Sequence, residues 1–195
     1  MFTIHIQDAL SQVRELQQKI LEKQRFKGYS GRARALAGTT AILAALIMST
    51  VGFPKTNTAH LYGWGCVFFI GLLINYGALL NWFLFDSKVQ RDFRKLRPIV
   101  DVFPPLLVGG ILTLAFISQN QHQLLFGIWM CLFGLACLTS RTALPKLIWI
   151  VGLLYIFCGA VYLLFSDLSF LNPWPMGLVF FIGEWLGGII LHFDD

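Results

Sequence analysis

Charged side chains are missing from long parts of this 195-residue sequence. Four parts contain no Asp, Glu, Lys or Arg: residues 35–54, 61–85, 102–140 and 147–166. A fifth part, residues 168–193, contains Glu184 as its one charged residue. Charged residues make up 13% of the chain, half of the roughly 25% typical of soluble domains. This scarcity excludes an ordinary soluble globular domain and indicates an integral membrane protein.

The lengths of these parts predict six membrane-spanning helices. A helix needs about 20 apolar residues to cross a bilayer, so residues 102–140 are too long for a single crossing. The polar residues 118–123, Ser-Gln-Asn-Gln-His-Gln, divide that part into two spans. We therefore expect an all-α, six-helix transmembrane bundle over residues 32–195, preceded by a cytoplasmic segment over residues 1–31.

Positive charge is scarce in alternate loops. Three loops, residues 55–60, 118–123 and 166–173, contain one basic residue, Lys55, whereas the other 14 of the 15 Lys and Arg lie before the first span or in the remaining loops. The positive-inside rule then places both termini in the cytoplasm, for a multi-pass protein of the inner (plasma) membrane. Because this alternation accounts for the basic residues, we expect the lipid bilayer as their partner and no nucleic acid.

Familiar enzyme and cofactor motifs are also absent. No HExxH, GxSxG or phosphate-binding glycine loop occurs, and the four cysteines lie in the spans without a CxxC pair. We therefore expect a non-enzymatic protein with no cofactor and no metal site. The first 30 residues lack the apolar core of a signal peptide, so we expect the first span to direct insertion.

Residues 4–24 are predicted to form an amphipathic helix. Their apolar residues recur at helical spacing, with charged and amide side chains between them: Ile6, Leu10, Val13, Leu16 and Ile20. A basic segment containing two glycines, residues 25–32, follows this helix. The helix either lies on the inner leaflet or docks a partner protein or a second copy of the chain, and the sequence does not distinguish these alternatives.

Small residues are spaced so that helices can pack closely. In the first span they recur every four residues: Ala37, Ala41 and Ala45. In the fourth and fifth spans they form two pairs, each seven residues apart: Gly127 with Gly134, and Gly152 with Gly159. Helix association in lipid depends on close packing, so we expect these faces to contact other helices of the bundle. A partner subunit is the alternative for the alanine face.

A short internal similarity suggests a repeat. Residues 65–71 (GCVFFIG) and 177–183 (GLVFFIG) match at six of seven positions, 112 residues apart. Half of that offset places Gly127 of the fourth span in register with both segments. The pattern predicts three successive helical hairpins, formed by spans one and two, three and four, and five and six.

Glu184 is the strongest candidate for a functional residue. An acid near the bilayer midplane costs about 2.5–3.5 kcal/mol on insertion scales, so it should face the bundle interior. Three glycines share its side of the predicted helix: Gly177, Gly187 and Gly188. No Lys or Arg lies in the core of a span, so we expect Glu184 to be a protonated hydrogen-bond donor.

Three uncharged polar residues are expected to share the site with Glu184: Asn75, Tyr155 and Tyr162. One interpretation is a proton-linked or cation-linked site, or a polar anchor for a ligand headgroup. The other is an interhelical hydrogen bond that fixes packing. We predict that the protein binds or passes a small molecule or ion through its helix bundle. The alternative is a structural or regulatory membrane module that docks a partner through its N-terminal helix.

Overall fold

The computed structural model describes residues 12–17, 30–85, 97–140, 144–165 and 169–193, and all regular structure within them is helical. Besides the helical residues 12–17, the described ranges contain six longer helices: α1 (Gly31–Ser49), α2 (Asn57–Phe85), α3 (Arg97–Ser118), α4 (Leu125–Thr139), α5 (Ile148–Leu164) and α6 (Trp174–Phe193). A short 3₁₀ turn, His122–Leu124, leads into α4. The predicted all-helical fold is confirmed, and the uncharged residues 102–140 are divided where their polar centre predicts.

Four segments are long and apolar enough to cross a membrane: α1, α2, α6 and the continuous helical stretch His122–Thr139. The other two apolar helices, Val102–Ser118 and Ile148–Leu164, are shorter. Large apolar side chains face outward along the helices, as lipid-facing positions require, and only three of the 29 residues of α2 are buried. The described chain therefore has the character of a membrane protein.

Helix α1 begins at Gly31, four residues before the uncharged part of its sequence. Ser30 is its N-cap, and the Ser30 hydroxyl accepts a hydrogen bond from the Ala33 backbone N–H at 3.3 Å. Gly31 was predicted to belong to the preceding basic segment, and the structure assigns it to the first turn of the helix. The consequence is that Arg34 lies inside α1.

The predicted N-terminal amphipathic helix is described in part. Residues 12–17 are helical, and all six are exposed, including Val13 and Leu16. The rest of the predicted helix, and residues 25–29 of the basic segment, lie outside the described residues.

Helices α1 and α6 pack antiparallel through small residues, and theirs is the most extensive helix contact in the described chain. A Cβ added at Gly31 would meet the backbone of Gly188, and one added at Gly177 would meet the Cβ of Ala45. Ala41 and Ala45 are buried in this interface. Packing within the chain therefore accounts for these two residues of the alanine face, whereas Ala37 lies towards α2, near Gly71.

Helices α4 and α5 pack through reciprocal glycines. A Cβ on Gly127 would lie 2.9 Å from the carbonyl oxygen of Gly159, and one on Gly159 would lie 2.6 Å from that of Gly127. Gly134 and Gly152 face each other in the same way two turns further along the helices. A Cβ on Gly134 would lie 2.6 Å from the carbonyl oxygen of Gly152, and one on Gly152 would lie 3.0 Å from that of Gly134. The two glycine pairs of the sequence thus face each other, and the helix backbones touch because neither side carries a Cβ.

The helices are arranged in the order α2, α1, α6, α5, α4, α3, each in contact with the next. The predicted hairpin partners do touch, since α1 contacts α2, α3 contacts α4 and α5 contacts α6. However, α1 with α6 and α4 with α5 form much larger interfaces than α5 with α6. Packing in the bundle therefore does not follow the hairpins, and the three-hairpin repeat stays a prediction.

Described residues of the three loops with little positive charge come together at one end of the bundle. Asn57 Nδ2 lies 3.5 Å from His122 Nδ1, and the rings of His60 and His122 lie 6.4 Å and 5.9 Å from that of Phe170. We call this the Phe170 end. At the opposite end, which we call the Arg34 end, the start of α1 lies against the last turns of α6.

A cavity with a buried ion pair as the candidate functional site

Glu184 forms a two-pronged ion pair with Arg34. Arg34 Nε donates to Glu184 Oε2 at 3.0 Å, and Arg34 Nη2 donates to Glu184 Oε1 at 2.7 Å. The two residues are 7% and 5% exposed, so the pair is shielded from solvent. The prediction that Glu184 has no cationic partner is wrong. Antiparallel packing of α1 on α6 brings the first turn of α1 beside the middle of α6, which joins residues 150 positions apart.

Glycines provide the space that this pair occupies. A Cβ on Gly187 would lie 2.7 Å from Arg34 Cζ, so the guanidinium lies directly over the Gly187 backbone. A Cβ on Gly38 would lie 2.8 Å from the Cβ of Glu184. The glycine face predicted beside Glu184 therefore admits a guanidinium in the bidentate geometry that strengthens carboxylate pairs.

Two further helices complete the cluster around the ion pair. Tyr155 of α5 is fully buried, and its hydroxyl donates to Glu184 Oε1 at 3.1 Å. Cys137 of α4 lies with its Sγ 3.8 Å from Arg34 Nη2. We call Arg34, Cys137, Tyr155 and Glu184 the buried cluster. Its Glu184 carboxylate accepts three hydrogen bonds, two of them from a cation, which is the satisfaction that a buried charge requires.

The ion pair forms part of the wall of a central cavity of about 410 Å³. Lining residues come from α1, α2, α3, α4 and α6, and three more lie outside these helices: Ser140, Leu144 and Phe170. Arg34 and Glu184 are the only charged side chains among the described residues that line it. Its volume falls within the range of small-molecule sites in proteins.

The cavity is long. Its lining residues on α2 extend from Leu61 to Tyr76, and those on α4 and its C-cap residue extend from Leu125 to Ser140. At 1.5 Å per residue, each of these helix segments spans about 22 Å. A cavity whose lining extends over that length can hold an extended chain.

The two ends of the cavity differ in chemistry. Towards the Arg34 end, the wall contains the ion pair together with Asn75 and Ser140. Towards the Phe170 end, it is aromatic: the ring centroid of Phe126 lies 4.8 Å from that of Phe170 and 5.5 Å from that of Trp64. The cavity is therefore amphipathic along its length.

The structure brings together some of the predicted site residues and separates another. Tyr155 contacts Glu184 directly, and Asn75 lines the cavity while its Nδ2 donates to the Gly71 carbonyl of its own helix at 2.9 Å. Tyr162 lies elsewhere, in an apolar cluster beside Phe126, with ring centroids 5.8 Å apart. The site thus contains Glu184 and Tyr155, has Asn75 on its wall, and excludes Tyr162.

Sequence reasoning missed Arg34, Cys137 and Ser140. Arg34 precedes Ala37 by three residues and Ala41 by seven, so it extends the small-residue face of α1 by one turn. That spacing was a usable signal. Ser140 is 1% exposed, and its hydroxyl has no hydrogen-bond partner within the described residues.

No protein-family model matches this chain, and no curated protein or solved structure matches it. The chemistry of the cavity and the buried cluster is thus the basis for assigning a function.

Proposed function

We propose that this protein is a six-span membrane protein that binds an elongated, amphiphilic small molecule in its central cavity without catalysing a reaction. The observation that carries this proposal is the form of the cavity, whose lining extends along α2 and α4 and is polar at the Arg34 end and aromatic at the Phe170 end. A ligand with one apolar chain and one polar headgroup matches both the shape and the distribution of polar groups. Passage of such a ligand through the bundle would use the same cavity.

The proposed topology assigns α3 and α5 to the membrane as well. Helix α5 has 17 residues, the lower limit of the usual length for a spanning helix. The loops at the Phe170 end would then lie outside the cell. The opposite end, with 14 of the 15 basic residues, would face the cytoplasm, as would both termini. The association of the three loops at one end supports this arrangement.

Labelling with an impermeant thiol reagent tests the topology. Single cysteines at Thr56, Asn120 and Ser169, in a background without the native four, should react in intact cells. Cysteines at Gln90 and Thr142 should react only after the cells are opened. Labelling of Gln90 in intact cells would refute the orientation.

Binding is tested by filling the cavity without disturbing the helix. A Cβ on Gly65 meets nothing within 4 Å, and Gly65 lines the cavity, so Gly65→Leu should occupy cavity space. Gly77 on the same helix is equally unobstructed and is exposed outside the cavity, so Gly77→Leu is the matched control.

The probes are dodecyl sulfonate, dodecanol and dodecylammonium, added to the purified protein in nanodiscs of zwitterionic lipid. We expect at least one of them to bind the parent and Gly77→Leu equally, and to bind Gly65→Leu at least tenfold more weakly. Equal binding to all three proteins, or binding to none, would overturn the proposal.

A second candidate function rests on residues 12–17. This segment is helical, and Val13 and Leu16 are exposed, so an apolar surface is available for docking a partner protein or a second copy of the chain. Disulfide formation between Val13→Cys residues of two chains in the membrane would support self-association. Its absence, together with protection of the segment by lipid, would favour a helix resting on the leaflet.

A further inference from the structure

We infer that the headgroup taken by this site is a single anion that binds Arg34, and that its binding is coupled to the uptake of one proton by Glu184. This inference rests on the proposed function, since it specifies the ligand of the same cavity. It follows from charge balance in the buried cluster and from the different abilities of its two charged members to titrate.

The cavity is electrically balanced before any ligand enters. Arg34 and Glu184 are its only charged side chains within the described residues, and they neutralise each other. A charged headgroup that entered would leave one uncompensated charge in a site shielded from water. The desolvation of such a charge is not repaid by a partner, so tight binding of a charged ligand requires a compensating change of protonation.

The buried cluster can compensate for an anion and not for a cation. A carboxylate becomes neutral by accepting a proton, whereas a guanidinium does not release one in proteins. An anion that pairs with Arg34 is therefore balanced when Glu184 is protonated. A cation that pairs with Glu184 would displace Arg34 from the carboxylate. Arg34 would keep its positive charge, and its remaining contact within the buried cluster would be Cys137.

The groups that face Glu184 from each neighbouring helix favour the same assignment. They are Arg34 on α1, Tyr155 on α5 and, through Arg34, Cys137 on α4. Tyr155 and Cys137 are neutral in their ordinary forms near pH 7, and so is Tyr76, which α2 contributes to the wall. The described lining residues of α3 are Val102, Leu106, Gly110 and Thr113, none of which titrates. Glu184 is thus the group that can take up the proton.

The hydrogen-bonding groups of the site also favour a headgroup that accepts hydrogen bonds. Glu184 already accepts two bonds from Arg34 and one from Tyr155, so its oxygens are well supplied with donors. The Ser140 hydroxyl lines the cavity and is buried without a partner in the described chain, which leaves a donor for an anionic headgroup. After proton transfer from water, neutral Glu184 keeps the Tyr155 bond, and its new O–H becomes an additional donor.

The overall step is balanced as follows. The ligand anion and one proton from water enter together, the Arg34–Glu184 ion pair is replaced by an Arg34–ligand ion pair, and Glu184 becomes neutral. No bond within the ligand forms or breaks. Because the bound state holds one more proton than the free state, affinity for an anion should rise as pH falls.

Dodecyl sulfonate is the decisive probe, because its headgroup stays ionised throughout the measured range and any proton taken up must be held by the protein. Its dissociation constant should fall as pH falls, by no more than about tenfold for each unit, which is the limiting slope for linkage to one proton. Calorimetric titration in two buffers with different ionisation enthalpies should show uptake of one proton per bound sulfonate. Dodecanol, which has no charge, should bind without this dependence.

Glu184→Gln provides the matched variant, since Gln keeps the shape of a protonated Glu and cannot ionise. It should bind sulfonate at every pH as tightly as the parent does at low pH. Should this variant fail to fold, proton uptake by the parent in the two buffers still decides the question.

The outcomes separate this inference from the proposed function. Dodecanol or dodecylammonium binding that is weakened by Gly65→Leu, with no binding of sulfonate, would preserve the cavity function and overturn the anion assignment. Sulfonate binding without proton uptake would overturn the coupling. Comparison of dodecanoate with a single-chain lysophosphatidic acid at matched pH then distinguishes a free acid from a lipid headgroup as the source of the anion.

Discussion

The two largest interfaces of the bundle are built from the same kind of residue and accomplish different things. Between α4 and α5, the reciprocal pairs Gly127 with Gly159 and Gly134 with Gly152 bring two backbones into direct contact. Between α1 and α6, small residues also remove side-chain volume, yet over Gly187 the space is filled by the guanidinium of Arg34. Close packing between α4 and α5 therefore holds two helices together, whereas close packing between α1 and α6 also creates a buried, charged site.

The largest loss of stability is expected when the ion pair at the α1–α6 interface is broken. Glu184→Leu leaves the Arg34 guanidinium buried without a counterion, which we expect to cost about 3–5 kcal/mol of stability. Arg34→Met should cost a similar amount for the converse reason. The double variant Arg34→Met/Glu184→Leu replaces both charges with apolar groups and should be more stable than either single variant. Thermal unfolding of the purified protein measures all three.

A double variant less stable than both single variants would show that the cluster is held by something other than charge pairing. Single variants as stable as the parent would show that the two side chains do not pair in the membrane.

The sequence predicts the helices well and the site only in part. Hydropathy and the lack of charge locate the helices because a span needs a continuous apolar run, and the spacing of Gly127 and Gly134 predicts a close contact. Glu184 was identifiable because an intramembrane acid is expensive. Its partner was missed because Arg34 lies at the edge of an uncharged run, and only the antiparallel packing of α1 on α6 carries it inward.

The cavity was beyond the reach of sequence reasoning for a related reason. Its wall combines residues of five helices, and no local pattern specifies which faces of different helices meet around a common space. Tyr155 and Tyr162 illustrate the problem. Both are tyrosines on the same side of one helix, seven residues apart, yet one contacts Glu184 and the other packs against Phe126.

Adding a methyl group at the backbone contact between α4 and α5 should cause the second largest loss of stability. The Cβ of Gly134→Ala would lie 2.6 Å from the carbonyl oxygen of Gly152, and the helix backbone cannot give way as a side chain does. We expect a loss of about 1–3 kcal/mol, typical of overpacking. Gly77→Ala is the control, because its Cβ meets nothing within 4 Å and should leave stability unchanged or slightly raised. Equal melting temperatures for the two variants would contradict the direct backbone contact.

The corresponding change at the α1–α6 interface should be milder for stability. The Cβ of Gly187→Ala would lie 2.7 Å from Arg34 Cζ, and a long side chain can move aside. Displacing it from its preferred rotamer costs about 0.5–1.5 kcal/mol. We expect Gly187→Ala to unfold at a higher temperature than Gly134→Ala and to bind dodecyl sulfonate with altered affinity. The reverse order of melting temperatures would mean that the guanidinium is held as rigidly as a backbone.

The smallest loss of stability should come from removing single hydroxyl groups on α5. The comparison distinguishes the buried cluster, which contains Tyr155, from the apolar cluster that contains Tyr162. Tyr155→Phe removes the donor to Glu184 and should cost about 0.6 kcal/mol, the average for an interhelical hydrogen bond in a membrane. Tyr162 is also buried, but its hydroxyl has no hydrogen-bond partner within the described residues, so Tyr162→Phe should leave stability nearly unchanged. Thermal unfolding of both variants beside the parent measures the difference. A larger loss for Tyr162→Phe would assign the more important polar contact to the Phe170 end, because each variant removes one hydroxyl from the same helix and leaves the ring in place.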